Sequence, residues 1–329
     1  MSKPRIGVTI ERPLRKRLFT ASDLKRLDGL GDVRWTDKAE KLTEEEIIEV
    51  LADCEIAVAS WNDVCLNEAI AGACPRLRLW EHVAGSVKHM FGPWLEGRDL
   101  TIASCAPANA ENVAELTVGM LIVMLKRLTE NARANRTEPV PKPAGARVLA
   151  SATIGVVGAS QVGRRVVRTL RPFGPEVLVY DPYLTEEGAA ELGVRKVTDL
   201  RELAAASDAV TLHAPALPET HHMFGAEEFR AMRDDAVLLN TSRGWLLDEA
   251  ALVAQLEKGR LQVWLDVTDP EPAPADSPLR RLPNVTLTSH IAGMADPKMG
   301  RQAVDDVEAF LRGEQPQMVV TPEMLDRLA

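Results

Sequence analysis

Gly158, Gly163 and Asp181 have the residue types and the spacing to hold a dinucleotide. Glycine, lacking a Cβ, turns a strand cheaply into a helix, and that turn sets backbone N–H groups and a positive helix end against a pyrophosphate. A carboxylate at the end of the next strand then reaches a ribose hydroxyl. The stretch 153–181, TIGVVGASQVGRRVVRTLRPFGPEVLVYD, supplies the elements this needs. Residues 153–157 form a short β-branched run, Val162, Val166, Val167 and Leu170 recur at helical spacing, and Phe173-Gly174-Pro175 stops the helix. Residues 176–180 read as the second strand, with Asp181 at its end. Ser160 stands where the strict G-x-G-x-x-G pattern has its second glycine, bringing a Cβ to the closest approach of phosphate. Alone, the turn also fits an ordinary βα connection.

Later strands end in polar groups too. Residues 209–212 run into His213, 237–239 into Asn240-Thr241-Ser242-Arg243-Gly244, 263–265 into Asp266 and then Glu271, and 286–289 into His290. In a doubly wound sheet, strand ends share one ligand-binding edge, so these residues become neighbours. Asp181 also bears on the cofactor. Facing the 2′-phosphate of NADP it would meet repulsion of roughly 4 kcal/mol per unit charge at 4 Å and an effective dielectric near 20, so NAD is preferred.

The elements around these residues alternate. Residues 6–10, 33–36, 56–60, 77–83 and 101–104 read as strands, and 21–30, 43–51 and 66–73 as helices, the second opened by a capping box of Thr43 and Glu46. Residues 109–128 predict a long helix apolar on more than one face, followed by a polar, proline-bearing loop over 130–145. A second series of strands falls at 194–197, 209–214, 236–241, 263–268 and 285–290, and helices at 303–311 and 322–328 close the chain.

At 329 residues the chain exceeds the usual limit of one core, so two domains are expected. A formal charge of −9 argues against a nucleic-acid partner, and the basic patch 12–17 reads as a solvated face. The longest apolar run, 118–125, is too short to span a membrane, and the N-terminus lacks a signal-peptide layout. Cys54, Cys65, Cys74 and Cys105 lack metal-site spacing, so no metal and reduced thiols in a cytoplasmic protein are expected.

The set GASQVG, VYDP, LHAPALPET, LLNTSRGWLLDEAAL, LDVTDPEP and LTSHIAG, with ANAENVAELTVGML at 108–121, resembles the NAD-dependent D-isomer-specific 2-hydroxyacid dehydrogenase family. GASQVG, HVAGSV and VTPEMLDRLA resemble an actinobacterial-type branch of it. The resemblance implies an α/β fold: a Rossmann-type doubly wound parallel sheet plus a smaller flavodoxin-like α/β domain, with the active-site cleft between them. Residues 1–105 and 296–329 would form the substrate-binding domain and 106–295 the NAD-binding domain. It implies NAD as cofactor, a 2-oxo or 2-hydroxy acid as substrate, and a homodimer, which the long apolar helix also suggests.

The resemblance further implies a catalytic set of Arg243, Glu271 and His290. His290 would carry the proton of the carbonyl oxygen, Glu271 would favour the imidazolium and fix its tautomer, and Arg243 would offer a planar fork to substrate carboxylate and carbonyl. Asp269, close to Glu271, is the competitor for the dyad. Cofactor contacts are implied at Gly158, Ser160, Gln161, Val162, Gly163, Asp181, Pro182, His213, Ala214, Pro215, Thr220, Thr241, Ser242, Asp266 and Ala292. His213 is equally readable as a core residue, and the Ser160 hydroxyl as a donor to pyrophosphate. Trp245 and Trp264 fit either the pocket or the core.

The family's small-domain loop usually carries G-x-G-x-D to present N–H groups to the substrate carboxylate. Here the match is Val83-Ala84-Gly85-Ser86-Val87-Lys88, so Ala84, Gly85 and Ser86 are the substrate-binding candidates, with Trp61 on the wall. Lys88 either meets a second anionic group on the substrate or faces solvent. Two rival functions share the scaffold. One is oxidation of formate or a phosphorus acid, the formate branch being disfavoured because it has Gln in place of Glu271. The other is a non-enzymatic, NAD-sensing corepressor-like binding protein.

Overall fold

The computed structural model describes residues 3–61, 64–137, 139 and 145–328. The chain divides into two compact units, one from Met1–Ala110 with Gly293–Leu328 and the other from Glu111–Ala292.

The first unit opens with β1 (Arg5–Val8), α1 (Arg12–Leu18), α2 (Ala21–Leu30), β2 (Asp32–Trp35), α3 (Glu44–Leu51), β3 (Ile56–Ala59), α4 (Glu68–Ala73), β4 (Leu79–His82) and β5 (Thr101–Ser104). Helix α1, not foreseen from the sequence, carries the basic patch on its solvated side: Pro13 lies in its first turn, Leu14 and Leu18, four apart, are buried, and Arg12, Lys16 and Arg17 are exposed. The capping box of Thr43 and Glu46 opens α3.

Helix α5 (Ala106–Leu125) leads out of this unit. It is long and apolar enough to cross a membrane by length and composition, which corrects the expectation drawn from uninterrupted apolar runs. Its charges are few, and half of its most apolar window is buried. The loop expected over 130–145 begins instead as helix α6 (Leu128–Ala134); residues 138 and 140–144 of it lie outside the described residues.

The second unit continues with β6 (Thr153–Val157), α7 (Gln161–Leu170), β7 (Glu176–Tyr180), α8 (Glu186–Leu192), β8 (Arg195–Val197), α9 (Leu200–Ala206), β9 (Ala209–Leu212), α10 (Ala226–Ala231), β10 (Ala236–Asn240), α11 (Glu249–Leu256), β11 (Leu261–Leu265) and β12 (Val285–Leu287). Its seven strands are parallel, in the order β12-β11-β10-β9-β6-β7-β8. Strand order reverses at β6, beside β9, the switch point at which doubly wound sheets take their ligands. Strands β9 and β10 are wholly buried, as expected of continuous apolar runs covered by helices on both faces.

The chain then returns to the first unit as α12 (Pro297–Leu311) and β13 (Val319–Val320). Asp296 caps α12, which starts six residues earlier than the apolar periodicity predicts, and Met299, Ala303, Val304 and Val307 bury its inner face. The six-stranded sheet has the order β13-β5-β4-β3-β1-β2, and β13 alone pairs antiparallel, a strand not foreseen from the sequence.

Candidate active site

Register carries the polar residues to one edge of the larger sheet. Tyr180, Val157, Leu212, Asn240, Leu265 and Leu287 pair in a single row across six strands. The next residue on each strand is Asp181, Gly158, His213, Thr241, Asp266 or Thr288. Residues scattered over more than a hundred positions thus stand side by side because each strand ends at the same level.

The glycine turn is tightly built. Gly158 has φ +96°, and a Cβ there would lie 2.6 Å from the Ala214 nitrogen; one on Gly163 would lie 2.0 Å from the Gly158 carbonyl oxygen. Neither position admits a side chain. Ser160 caps α7: its Oγ accepts from Gly163 N–H at 3.4 Å and donates to the His213 carbonyl at 2.9 Å. The hydroxyl proton here goes to the protein main chain. Gln161 and Val162 lie in the first turn of α7, where N–H groups have no intrahelical acceptor. Asp181 accepts from Ala159 N–H at 2.6 Å and Tyr183 N–H at 2.7 Å, fixing the carboxylate after β7; Pro182 is the residue between Asp181 and Tyr183.

On the other side of the switch point, His213 is buried, and burial pushes its pKa down to about 3, so the ring is neutral. Its Nε2 faces Thr211 Oγ1 at 3.0 Å, while Nδ1 is buried without a hydrogen-bond partner. Thr220 Oγ1 donates to the Pro215 carbonyl at 2.6 Å, and Ser242 Oγ to the Ala214 carbonyl at 2.6 Å, so these residues brace the adjoining turns. Thr241 Oγ1 lies 3.3 Å from Thr117 Oγ1, whose own proton goes to Val113.

Asn240 shapes the turn that carries Arg243, accepting from Ser242 N–H at 3.0 Å and donating to the Arg243 carbonyl at 2.8 Å. Gly244 follows because a Cβ there would meet the Thr268 carbonyl carbon at 2.1 Å. Arg243 is half-buried; burial lowers the pKa of its guanidinium, and the charge of Glu271 opposes that shift.

Asp266 is a tie rather than a free carboxylate. It accepts from Thr288 Oγ1 at 2.6 Å, Ile291 N–H at 2.9 Å and Ala292 N–H at 2.8 Å, fastening the turn after β12 to β11. Its carbonyl accepts the His290 N–H at 2.8 Å. So held, His290 adopts φ +53°, a left-handed conformation that non-glycine residues seldom take and that clusters at functional sites. Its Nδ1 lies 2.7 Å from Glu271 Oε1, and both side chains are partly exposed. Asp269, the competitor, instead has its N–H bonded to Glu249. Glu271 and His290 line a cavity of about 350 Å³ with Thr288 and Arg280. Trp264 is fully buried and donates to Thr288 at 2.9 Å, which places it in the core; Trp245 is part-exposed beside His221.

In the first unit the loop after β4 is held from within. Ser60 Oγ donates to the Val83 carbonyl at 2.9 Å, Ser104 Oγ contacts the Ala84 and Gly85 carbonyls, and Ala84 N–H donates to the His82 carbonyl at 2.7 Å. Ala84 therefore offers no N–H to a substrate, contrary to expectation, which leaves Gly85 and Ser86. Trp61 is exposed, and Lys88 is half-buried without an ion pair among the described residues. Sequence reasoning missed Glu81 and His82, both buried in β4. Burial raises the pKa of Glu81 and lowers that of His82 to about 3. It also missed His89, whose Nε2 lies 2.8 Å from Cys65 Sγ. Among the described residues, no group of three or more His, Cys, Asp or Glu could hold a metal.

Comparison with known proteins gives the frame for these residues. Residues 118–292 match the family model of the D-isomer specific 2-hydroxyacid dehydrogenase NAD binding domain. The glyoxylate reductase of Korarchaeum cryptofilum is 32% identical over 98% of this chain and 97% of its own length. The D-3-phosphoglycerate dehydrogenase of Methanocaldococcus jannaschii is 31% identical over 90% of this chain, which spans only 57% of that protein. The crystal structure of the TT0316 protein from Thermus thermophilus superimposes with a TM-score of 0.77 at 27% identity, over 96% of this chain and 100% of that one. With the matched family model covering the glycine turn and the polar strand ends through His290, the chain belongs to the D-isomer specific 2-hydroxyacid dehydrogenases, oxidoreductases that use a nicotinamide dinucleotide.

Proposed function

We propose that the protein interconverts a 2-oxo acid and its 2-hydroxy acid with NAD(H), using His290 as acid and base, Glu271 as its partner and Arg243 as the substrate's anchor. The observation that carries this reading is the 2.7 Å contact of His290 Nδ1 with Glu271 Oε1, one strand away from a half-buried arginine with no carboxylate ion pair among the described residues.

The turn suits the dinucleotide, since Gly158 and Gly163 leave a cradle that a Cβ would fill. Gln161 and Val162 would hold its pyrophosphate by backbone, and Asp181 its adenosine ribose, each carboxylate oxygen having room for a further donor beside the N–H it already accepts. The same carboxylate repels a 2′-phosphate, so NAD is the cofactor proposed. When bound, the dinucleotide gives or takes the hydride. The chain's own residues do the rest. Glu271 accepts the Nδ1 proton, which leaves Nε2 as the atom that hands a proton to the carbonyl oxygen in reduction and takes it back in oxidation. Arg243 fixes the carboxylate with a planar pair of donors, and its burial strengthens that attraction. A homodimer is proposed on the apolar α5 and on the exposed Leu128 and Val148.

The test is NADH oxidation with glyoxylate, hydroxypyruvate, phenylpyruvate and oxaloacetate, run in parallel with NADPH. Turnover of at least one acid, with NADH preferred, is expected, and His290→Ala should lower it by about a hundredfold or more while NADH still binds. Tight NADH binding without turnover of any acid would favour a binding protein instead.

A further inference from the structure

The loop that carries Glu271, Asp266-Val-Thr-Asp-Pro-Glu-Pro-Ala-Pro274, is poor in donors: Pro270, Pro272 and Pro274 have no N–H. Its carbonyls need donors from elsewhere. Near its start, Thr268 Oγ1 donates to the Pro270 carbonyl at 2.9 Å, and Glu249 accepts the Asp269 N–H at 2.9 Å. Beyond Glu271 the holding group is Arg280. Its Nη2 donates to the Ala273 carbonyl at 2.6 Å, and its Nε to the Pro274 carbonyl at 2.9 Å and the Ala273 carbonyl at 3.2 Å. Arg280 forms no ion pair among the described residues, and these side-chain hydrogen bonds all go to the main chain of this one loop. It also lines the cavity that holds Glu271 and His290.

We infer that Arg280 is a positioning residue, a staple that fixes the Glu271 loop so that the carboxylate meets His290 Nδ1. This rests on the dyad proposed above. A guanidinium suits the task because its planar fork engages two successive carbonyls at once, which a lysine ammonium does only in part.

A double-mutant cycle tests the inference, with Glu271→Gln, Arg280→Met, Arg280→Lys and the Glu271→Gln/Arg280→Met pair, each checked for wild-type NADH affinity. Arg280→Met is expected to lower kcat about tenfold, as a modest misplacement of a catalytic group does, with KM little changed. Its pH profile should move in the same direction as that of Glu271→Gln, and Arg280→Lys should restore part of the loss. In the Glu271→Gln background the same substitution should change kcat less than about twofold, because the group it positions is already gone. An equal loss in both backgrounds, or none in the wild type, overturns the inference while leaving the dyad intact. Wild-type turnover by Glu271→Gln overturns the dyad itself. If Arg280→Met does not fold, the lysine variant decides by the same comparison in the two backgrounds.

Discussion

The hydroxyl of Ser160 has one proton, and the His213 carbonyl takes it. What replaces the missing glycine of the turn is therefore an N-cap that ties α7 to the end of β9. Ser160→Ala should reduce stability by about 1 kcal/mol, the usual worth of a cap, and Ser160→Gly by only a few tenths. Urea denaturation checks this, and equal stability of wild type and alanine variant would refute the cap. At this scale the chemistry-bearing types were visible in the sequence, because Arg243, Glu271 and His290 each stand just past a recognisable strand. Their partners were not. That Asp266 accepts from Ile291 and Ala292, or that Arg280 reaches Ala273, depends on which loops fold back onto one another, and residue spacing holds no record of it.

Element by element, the βαβ unit was legible from 153 to 181 because glycine, helical periodicity and proline punctuate it plainly. Its tightness also predicts a mutant. Gly163→Ala puts a methyl group 2.0 Å from the Gly158 carbonyl oxygen, so α7 must shift away from the turn. A loss of about 1–3 kcal/mol, the ordinary scale of such overpacking, is expected in urea denaturation, and NADH affinity should fall with it. Unchanged stability and affinity would show that the helix is free to move. Elements with weaker punctuation went unseen. The basic residues of α1 hid a Leu14–Leu18 stripe, and β13 is only two residues long, too short for any alternation to register.

Over the whole molecule, each unit keeps a buried neutral histidine, His82 in one and His213 in the other. Both have folded pKa values near 3, below the ordinary 6.5, so the unfolded chain takes up a proton first as pH falls. The stability they contribute is whole above pH 6.5 and is lost as pH drops toward about 3. Glu81 works in the opposite sense, since its raised pKa means stability that is present at low pH and lost as pH rises. In the second unit burial also raises the pKa of Glu249, so the part due to His213 is read as the difference between the wild type and a variant without the ring. From pH 7 to 5.5, unfolding of the wild type should lose on the order of 1 kcal/mol that His213→Gln does not lose. Parallel pH dependences would mean that the ring takes up its proton as readily in the folded chain as in the unfolded one.

The first unit is made from both ends of the described chain, and its sheet is completed only by β13. During synthesis, residues 1–110 leave the ribosome well before the segment 293–328 that supplies α12 and that strand. At the usual elongation speed of about 5–20 residues per second, they wait roughly ten to forty seconds with one face and one edge uncovered. The larger unit, contiguous from Glu111 to Ala292, can close in that interval, so the order of translation makes the dinucleotide-binding half the earlier to mature and leaves the other half exposed to chaperones in the meantime.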